Sequence, residues 1–279
     1  MGDTFRLAHL TDAHLALHGR LRLPELLGKR GLSALNWRLR RSDIHRAEVA
    51  EALREDMLAH DPDHIAFTGD LVNFGLQREF ENGAEWLRDL GPVERVSYVP
   101  GNHEAIMPGA EGAMNAAFAP WTGGRWPWVK RVGEVALIGV STSTPSPPSY
   151  ATGRVGAAQL DGLSEALAET RSAFRVILIH HPPAGPVKHR KRLLDAAAFA
   201  AVVEAKGAEL ILHGHNHRTQ QARIGDTPVV GAPSFSARPG GHDDPAEWRL
   251  IEIEDGAARI HRRQFTESGV IDAGEVRLS

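Results

Sequence analysis

Residues 5–15 read FRLAHLTDAHL, and the way this stretch ends decides the fold. An apolar run closes at Leu10, and Asp12 and His14 follow within four residues. Short apolar runs bounded by polar turn residues suit buried strands. The same plan recurs as HIAFTGD over 64–70, RVSYVPGNHE over 95–104, VILIHHP over 176–182 and ELILHGHNH over 209–217. One further run, VALIGV over 135–140, the fourth in chain order, leads into a Ser/Thr/Pro tract instead. Strands are therefore predicted over 5–11, 64–68, 95–99, 135–140, 176–179 and 209–212.

Helical periodicity fills several of the gaps. Residues 44–60 place Ile44, Ala47, Val49, Ala50, Leu53, Met57 and Leu58 among charges, a fair amphipathic face. Residues 77–90, 159–169 and 193–206 look similar, and Gly207 is placed to cap the last of them. Strand alternating with helix implies an α/β layered fold. Residues 249–265 instead alternate about Asp255-Gly256, a hairpin signature. Residues 107–128, rich in Gly, Pro and Trp, and residues 141–153 read as loops over one face. The last dozen residues read as weakly structured. With no internal repeat, a single domain over 1–279 is expected.

Composition excludes several classes. The chain has 279 residues, 42% hydrophobic, with a formal net charge of −3, which disfavours a whole-surface nucleic-acid binder. It has no cysteine, so disulfides, Cys-ligated zinc, iron–sulfur clusters and thiol nucleophiles are out. No stretch reads as a signal peptide or a transmembrane helix, and a cytoplasmic location is the expectation.

The chemistry sits just past the strand ends. Asp12 and His14 follow the first run, Asp70 the second, Asn102, His103 and Glu104 the third, His180 and His181 the fifth, and His215 and His217 the sixth. Ligands of open α/β sheets bind at that edge. Asp12, His14, Asp70, Asn102, His180, His215 and His217 form an all N/O donor set large enough for two divalent ions, and it does not choose among Mn, Fe, Zn, Ni and Co. Such a pair attracts a phosphate ester and clamps the attacking and leaving oxygens of an in-line displacement.

Taken together, D-x-H, GD, GNHE, H-x-P and GHxH in this order resemble the calcineurin-like metallophosphoesterase superfamily over roughly residues 5–235. The chain looks most similar to its bacterial class III cyclic-nucleotide phosphodiesterases and their broad-specificity relatives. The resemblance implies a four-layer α-β-β-α sandwich, two mixed sheets flanked by helices. It also implies hydrolysis of phosphate esters, foremost diesters, through in-line attack by a metal-bridging hydroxide. Asp12, His14 and His217 would hold one ion, Asn102, His180 and His215 the other, and Asp70 would bridge. His103 would protonate or stabilise the leaving oxygen, with Glu104 orienting it. His180 is preferred to His181 because family spacing puts the ligand one residue before the position preceding Pro. The alternatives are a phosphomonoesterase, a lipid-linked pyrophosphate hydrolase and, last, a non-catalytic scaffold.

Other features carry a bland and a sharp reading. His18, His45, His60, His64, His242 and His261 match no motif and are assigned to surfaces or helix ends. His9 and His213 are expected to be hydrogen-bonded near the site. Residues 20–46, within an insertion at about 18–46, hold eight Arg or Lys against Glu25 and Asp43, interleaved with leucines and Trp37. The segment either packs its leucines on the domain or meets anionic membrane or a lipid-like substrate. The run Lys188 to Arg192 is a solvated helix start or a site for a remote phosphate. Trp121, Trp126 and Trp128 fold back onto the domain or wall the pocket. Gly75, Gly101 and Gly214 are read as serving tight turns.

Overall fold

The computed structural model describes residues 4–17, 19–26, 28–37, 39, 44–241 and 243–278. Its strands are β1 (Phe5–Leu10), β2 (His64–Phe67), β3 (Val96–Tyr98), β4 (Trp128–Val132), β5 (Val135–Gly139), β6 (Phe174–Leu178), β7 (Leu210–His213), β8 (Gln220–Ile224), β9 (Thr227–Gly231), β10 (Glu247–Glu254), β11 (Ala257–Thr266) and β12 (Gly269–Val276). Helices α1 (Lys29–Asn36), α2 (Ala47–Ala59), α3 (Gln77–Leu90), α4 (Glu111–Thr122), α5 (Ala157–Glu169) and α6 (Ala196–Lys206) lie between them.

The strands form two mixed six-stranded sheets, ordered β12-β11-β10-β1-β2-β3 and β4-β5-β6-β7-β9-β8. Strands β1, β2 and β3 run parallel, as do β5, β6, β7 and β9, while β10 pairs antiparallel with β1. Successive side chains of a strand point to opposite faces. Strands apolar throughout must therefore be covered on both sides.

The buried clusters follow that alternation. Leu7, Leu137, Val176, Leu178, Leu212 and Ile251 meet between the sheets. Ala8, Leu10 and Phe67 face outward onto Leu53 and Met57 of α2, Phe80 of α3 and Phe118 of α4. Ile138, Ile177, Ile211 and Val229 face the other way onto Leu163 and Leu167 of α5 and Phe199 and Val203 of α6. Three apolar interfaces separate four layers, helix, sheet, sheet, helix. Each fully buried Leu, Ile or Phe contributes about 1.5–3 kcal/mol, so the layering is set by these side chains.

The expected strands and helices are present with ends shifted by a few residues, and Asp255-Gly256 turns the β10–β11 hairpin. Two expectations fail, on residues 107–128 and on the C-terminal strand, and for the tryptophans the fold-back alternative holds. Residues 107–128 are not all loop: α4 forms there, burying Met114, Phe118 and Trp121 on one face. Trp121 and Trp128 are core residues and Trp126 packs against the inter-sheet cluster, so none of the three lines the cleft at the strand ends. Residues 269–276 are not weakly structured, because they form β12, which pairs with β11 at six positions on either side of a bulge. No helix among the described residues is long and apolar enough to cross a membrane.

The basic segment bends over the same edge as the strand ends. Arg78 of α3 pairs with Glu25, and Arg30 of α1 donates to the carbonyls of Phe74 and Gly75 at 2.8 and 3.1 Å. Lys29 Nζ reaches across to Ser146 O, Ser146 Oγ and Tyr150 O at 3.1, 2.7 and 2.8 Å. Most of the described leucines of this segment are not packed on the domain: Leu23, Leu32, Leu35 and Leu39 are more than half exposed, whereas Leu21 and Leu26 are partly covered.

Candidate metal centre

The backbone at the strand ends is bent in the same sense again and again. Asp12, His14, Asp70, His215 and His217 all sit at positive φ, between 45° and 71°. Non-glycine residues rarely occupy that region. Only Asp61, Ser149 and Asp255 share it among the other described non-glycine residues. The bend turns each side chain inward from its strand end.

Close approach between loops requires glycines for a separate reason. A Cβ on Gly101 would collide with the Asp70 carboxylate, and one on Gly214 with Thr11 Oγ1 and the Asp12 carboxylate. Neither glycine has positive φ, so room beside a carboxylate, rather than the expected turn, demands them. Gly75, at φ 60°, does serve a turn.

Two groups of donors result. Asp12 Oδ1 lies 3.2 Å from His217 Nε2 and 3.8 Å from His14 Nε2, and those two nitrogens are 3.3 Å apart. Asp70, His180 and His215 offer atoms within 4.8 Å of one another, and so do His14, Asp70 and His103. Asp70 thus belongs to both sides of the centre. Asn102 Oδ1 is buried there without a hydrogen-bond partner.

Hydrogen bonds on the far side of each ring set its tautomer. His180 Nδ1 faces Thr68 O at 2.7 Å, His217 Nδ1 faces Asp243 Oδ2 at 2.9 Å, and His215 Nε2 faces Lys191 O at 3.0 Å. A nitrogen donating to oxygen leaves a lone pair on the other nitrogen. His180 Nε2 then points that lone pair at Asp70 Oδ2, 3.3 Å away, with no hydrogen bond between them. Two electron-rich atoms held so close require a proton or a metal cation between them.

A proton answers this at His180 and at His217, whose pKa burial lowers but the Asp12 carboxylate raises above its ordinary value. Burial lowers the His180 pKa, but the Asp70 carboxylate overrides it and lifts the ring to about 9. His215 is pushed well below its ordinary value, first by burial and then by the neighbouring His181 and cations. Burial likewise lowers His181 to about 3. Buried imidazoles this crowded cannot all carry charge, whereas divalent ions accept all their lone pairs at once. The donors therefore fit divalent metal, in the oxygen and imidazole class suited to Mn, Fe or Zn.

The remaining predicted residues surround these donors. His103 Nδ1 lies 2.7 Å from Asn73 O, and its backbone N–H donates to Asp70 Oδ1 at 2.8 Å. The Asn73 loop is itself held by the buried Glu79 carboxylate, which accepts from the N–H groups of Asn73, Phe74 and Leu76. Glu104, expected to orient His103, accepts N–H bonds from Asp70, Leu71 and Gly101 at 3.2, 2.7 and 2.8 Å. A fully buried carboxylate takes the nearest donors, and here these are the backbone of the Asp70 loop. His181 turns away to Thr142 Oγ1 at 2.7 Å and Ala151 O at 3.2 Å. His9 bonds Thr68 Oγ1 at 2.9 Å, and His213 Nδ1 lies 3.0 Å from the Gly214 carbonyl.

Sequence reasoning missed two residues and misplaced others. His45, assigned to a surface or a helix end, does lie just before α2 but is buried, with its ring 4.4 Å from His14 and 5.5 Å from His217. Its Nδ1 lies 2.8 Å from Ser236 Oγ. It stands alone in sequence, outside any strand-end cluster, so no motif marked it. Asp243 was overlooked for the same reason. Burial raises its pKa, but the His217 hydrogen bond prevails and holds it at about 2. His64 is also buried, in β2 against Ser97 Oγ. His18 and His242 lie outside the described residues.

The donors open into a cleft of about 490 Å³, whose walls include Asn102, His103 and His217 together with Lys29, Arg190 and Lys191. Residues 189–191 form a 3-10 turn, not a helix start, and Lys191 Nζ donates to His215 O at 3.1 Å. The floor is rich in acceptors and the rim is cationic, an arrangement that suits an anionic ester over divalent ions.

Comparison with known proteins agrees with this arrangement. Residues 5–219 match the family model described as calcineurin-like phosphoesterase. A probable cyclic nucleotide phosphodiesterase of Synechococcus sp. is 27% identical over 217 residues, 75% of this chain and 80% of that protein. A cAMP/cGMP dual specificity phosphodiesterase of Mycobacterium tuberculosis is 27% identical over 237 residues, 80% of this chain but 65% of that longer protein. Among solved structures, a dimetal phosphatase from Danio rerio superposes with a TM-score of 0.63 at 13% identity, covering 99% of this chain and 98% of that one. A purple acid phosphatase from yellow lupin gives 0.61 at 12% identity, covering 98% of this chain and 53% of that one. The last two likenesses concern the fold alone.

Proposed function

Because the chain belongs to the calcineurin-like phosphoesterase family, we propose that it hydrolyses phosphodiesters at a two-metal centre. The observation that carries this reading is the cluster of buried donors at the strand ends, in which Asp70 lies within 4.8 Å of donor atoms of His14 and His103 on one side and of His180 and His215 on the other. Asp12, His14 and His217 would hold one ion, Asn102, His180 and His215 the other, with Asp70 reaching both. Such ions, when bound, supply Lewis acidity at phosphorus and an acidified water as nucleophile.

The chain's own residues do the rest. Asn73 O fixes the His103 ring through Nδ1, so Nε2 is the nitrogen turned to the substrate. From there it donates to the leaving alcohol oxygen, the geometry general acid catalysis needs. Asp12 and Asp70 bring two negative charges, so a pair of divalent ions leaves the floor net positive toward a phosphate ester. The cations Lys29, Arg190 and Lys191 at the rim draw in an anionic ester and position it. Diester over monoester is favoured by the names of the two relatives, both phosphodiesterases.

The test compares bis(p-nitrophenyl) phosphate with p-nitrophenyl phosphate on stripped protein reloaded with Mn²⁺, with Asp70→Ala as blank. Faster diester turnover is expected. Faster monoester turnover would make the protein a phosphatase. Metal binding without turnover of either ester would point to a scaffold.

A further inference from the structure

Beside the proposed catalytic cleft, and linked to it through the pocket that His14, Ala16, Trp37 and His45 line, lies an apolar groove that the hydrolytic chemistry does not use. This groove, of about 630 Å³, runs between α1 and residues 16–21 and is lined by Leu17, Leu21, Leu26, Leu35, Trp37 and Phe74. Trp37 joins it to the centre. Its ring stacks on His45, 5.9 Å between centroids and 6° between planes, and His45 in turn lies 4.4 Å from His14. Trp37 also lines the wall beside His14 and His45. The groove therefore begins two ring contacts from a proposed metal ligand.

Its surroundings are unusual for a water-facing surface. Five of the nine large hydrophobic side chains exposed among the described residues, Leu23, Leu26, Leu32, Leu35 and Leu39, belong to this one segment, and Leu26 and Leu35 line the groove itself. Single exposed leucines are ordinary, but so many in one short segment mark a binding surface. Arg20 lines the groove, and Lys29, Arg190 and Lys191 line the cleft beside it. An apolar channel flanked by cations and leading to a phosphoester site complements one kind of molecule.

We infer that the substrate is an amphiphilic phosphodiester, with its phosphoryl group at the metal centre and its hydrocarbon chain in the groove under α1. The inference rests on the phosphodiesterase reading and adds the substrate class. The rim cations meet the anionic head, Trp37 marks the passage from head to chain, and the exposed leucines cover the part of the chain that stays outside.

The probe is a series of alkyl p-nitrophenyl phosphates, methyl, butyl, octyl and dodecyl, assayed below micelle formation on the Mn²⁺-reloaded protein. Each buried methylene is worth up to roughly fourfold in kcat/KM. The expected result is a rise of more than tenfold from methyl to octyl, carried mainly by KM. Leu35→Glu and Leu26→Glu, at solvent-reaching positions, are expected to flatten the series while leaving the methyl ester within about twofold of wild type. A flat series in the wild type overturns the inference. So does a series left unchanged in both variants, which would remove the chain from this groove. Binding to phosphatidylserine vesicles with a flat series also overturns it, assigning the leucines to surface attachment. If bis(p-nitrophenyl) phosphate is not hydrolysed either, the phosphodiesterase reading itself has failed, a result distinct from the other three.

Discussion

Five of the proposed ligands sit in the left-handed backbone region, which costs an L-residue roughly 1–2 kcal/mol where glycine is indifferent. The centre is therefore aimed by backbone strain as well as by side-chain bonds. His217 allows this to be measured. His217→Gly and His217→Ala should both lose metal, yet the metal-free glycine variant should be about 1 kcal/mol more stable to urea than the alanine one. Equal stabilities would show that the backbone relaxes once the ligand is gone. His103 makes a different claim. With its ring held by Asn73 and its N–H on Asp70, His103→Ala should lower kcat by roughly 10²–10⁴ and keep its metal. Loss of metal in that variant would make His103 a ligand, and elemental analysis of the purified protein decides it.

At the scale of elements, the strand ends were legible because short apolar runs stop at Asp, Asn and His in a fixed manner. Helix α4 was not. Gly112 and Pro120 lie within it and suggested a loop, although Met114, Phe118 and Trp121 already carried the i, i+4, i+7 spacing of a buried face. Pro120 sits in the last turn and Gly123 closes the helix with an N–H bond to Ala119 O, so neither breaks it. Strand β12 was missed because it pairs on one side only and most of its residues are partly or fully exposed, which leaves little alternation to read. Helix α2 is pinned to the first sheet by Asp56, which accepts from Arg263 at 2.6 Å and from Trp248 Nε1 at 2.9 Å. Burial raises the Asp56 pKa, but the Arg263 and Trp248 hydrogen bonds prevail and hold it below its ordinary value. Its contribution is therefore full above the unfolded carboxylate pKa and fades as pH falls through the lowered one. Asp56→Ala should cost about 2 kcal/mol at pH 7, and the gap from wild type in urea titrations should shrink below about pH 4.

For the whole molecule, motif order along the chain conveyed more than any local pattern, because a sheet's loops converge at one edge. What stayed hidden came from pieces distant in sequence. His45 enters on the far side of the basic segment, and Asp243 from a loop beyond β9; each touches the centre only through tertiary folding. The stretch that carries every motif is likewise incomplete without the residues C-terminal to it. Ser234 Oγ donates to Asp12 O at 2.7 Å, Phe235 N to Thr11 O at 2.9 Å, and β10 covers the open flank of β1. A fragment of residues 1–219 should accordingly show no cooperative unfolding and bind no stoichiometric Mn²⁺, despite holding all seven donors. Two ions bound tightly by that fragment would refute this.

The pairing of β1 with β10 has a consequence for the chain during its own synthesis. Phe5 meets Ile253 and His9 meets Arg249, so β1 is bordered on one side by a strand made much later. Until β10 emerges, Asp12 and His14 are present as a motif without a socket. Closing a loop of that length is slow compared with local helix formation. Metal binding at the proposed centre would thereby wait for β10, and a chain terminated before it would carry the motifs without the frame that aims them.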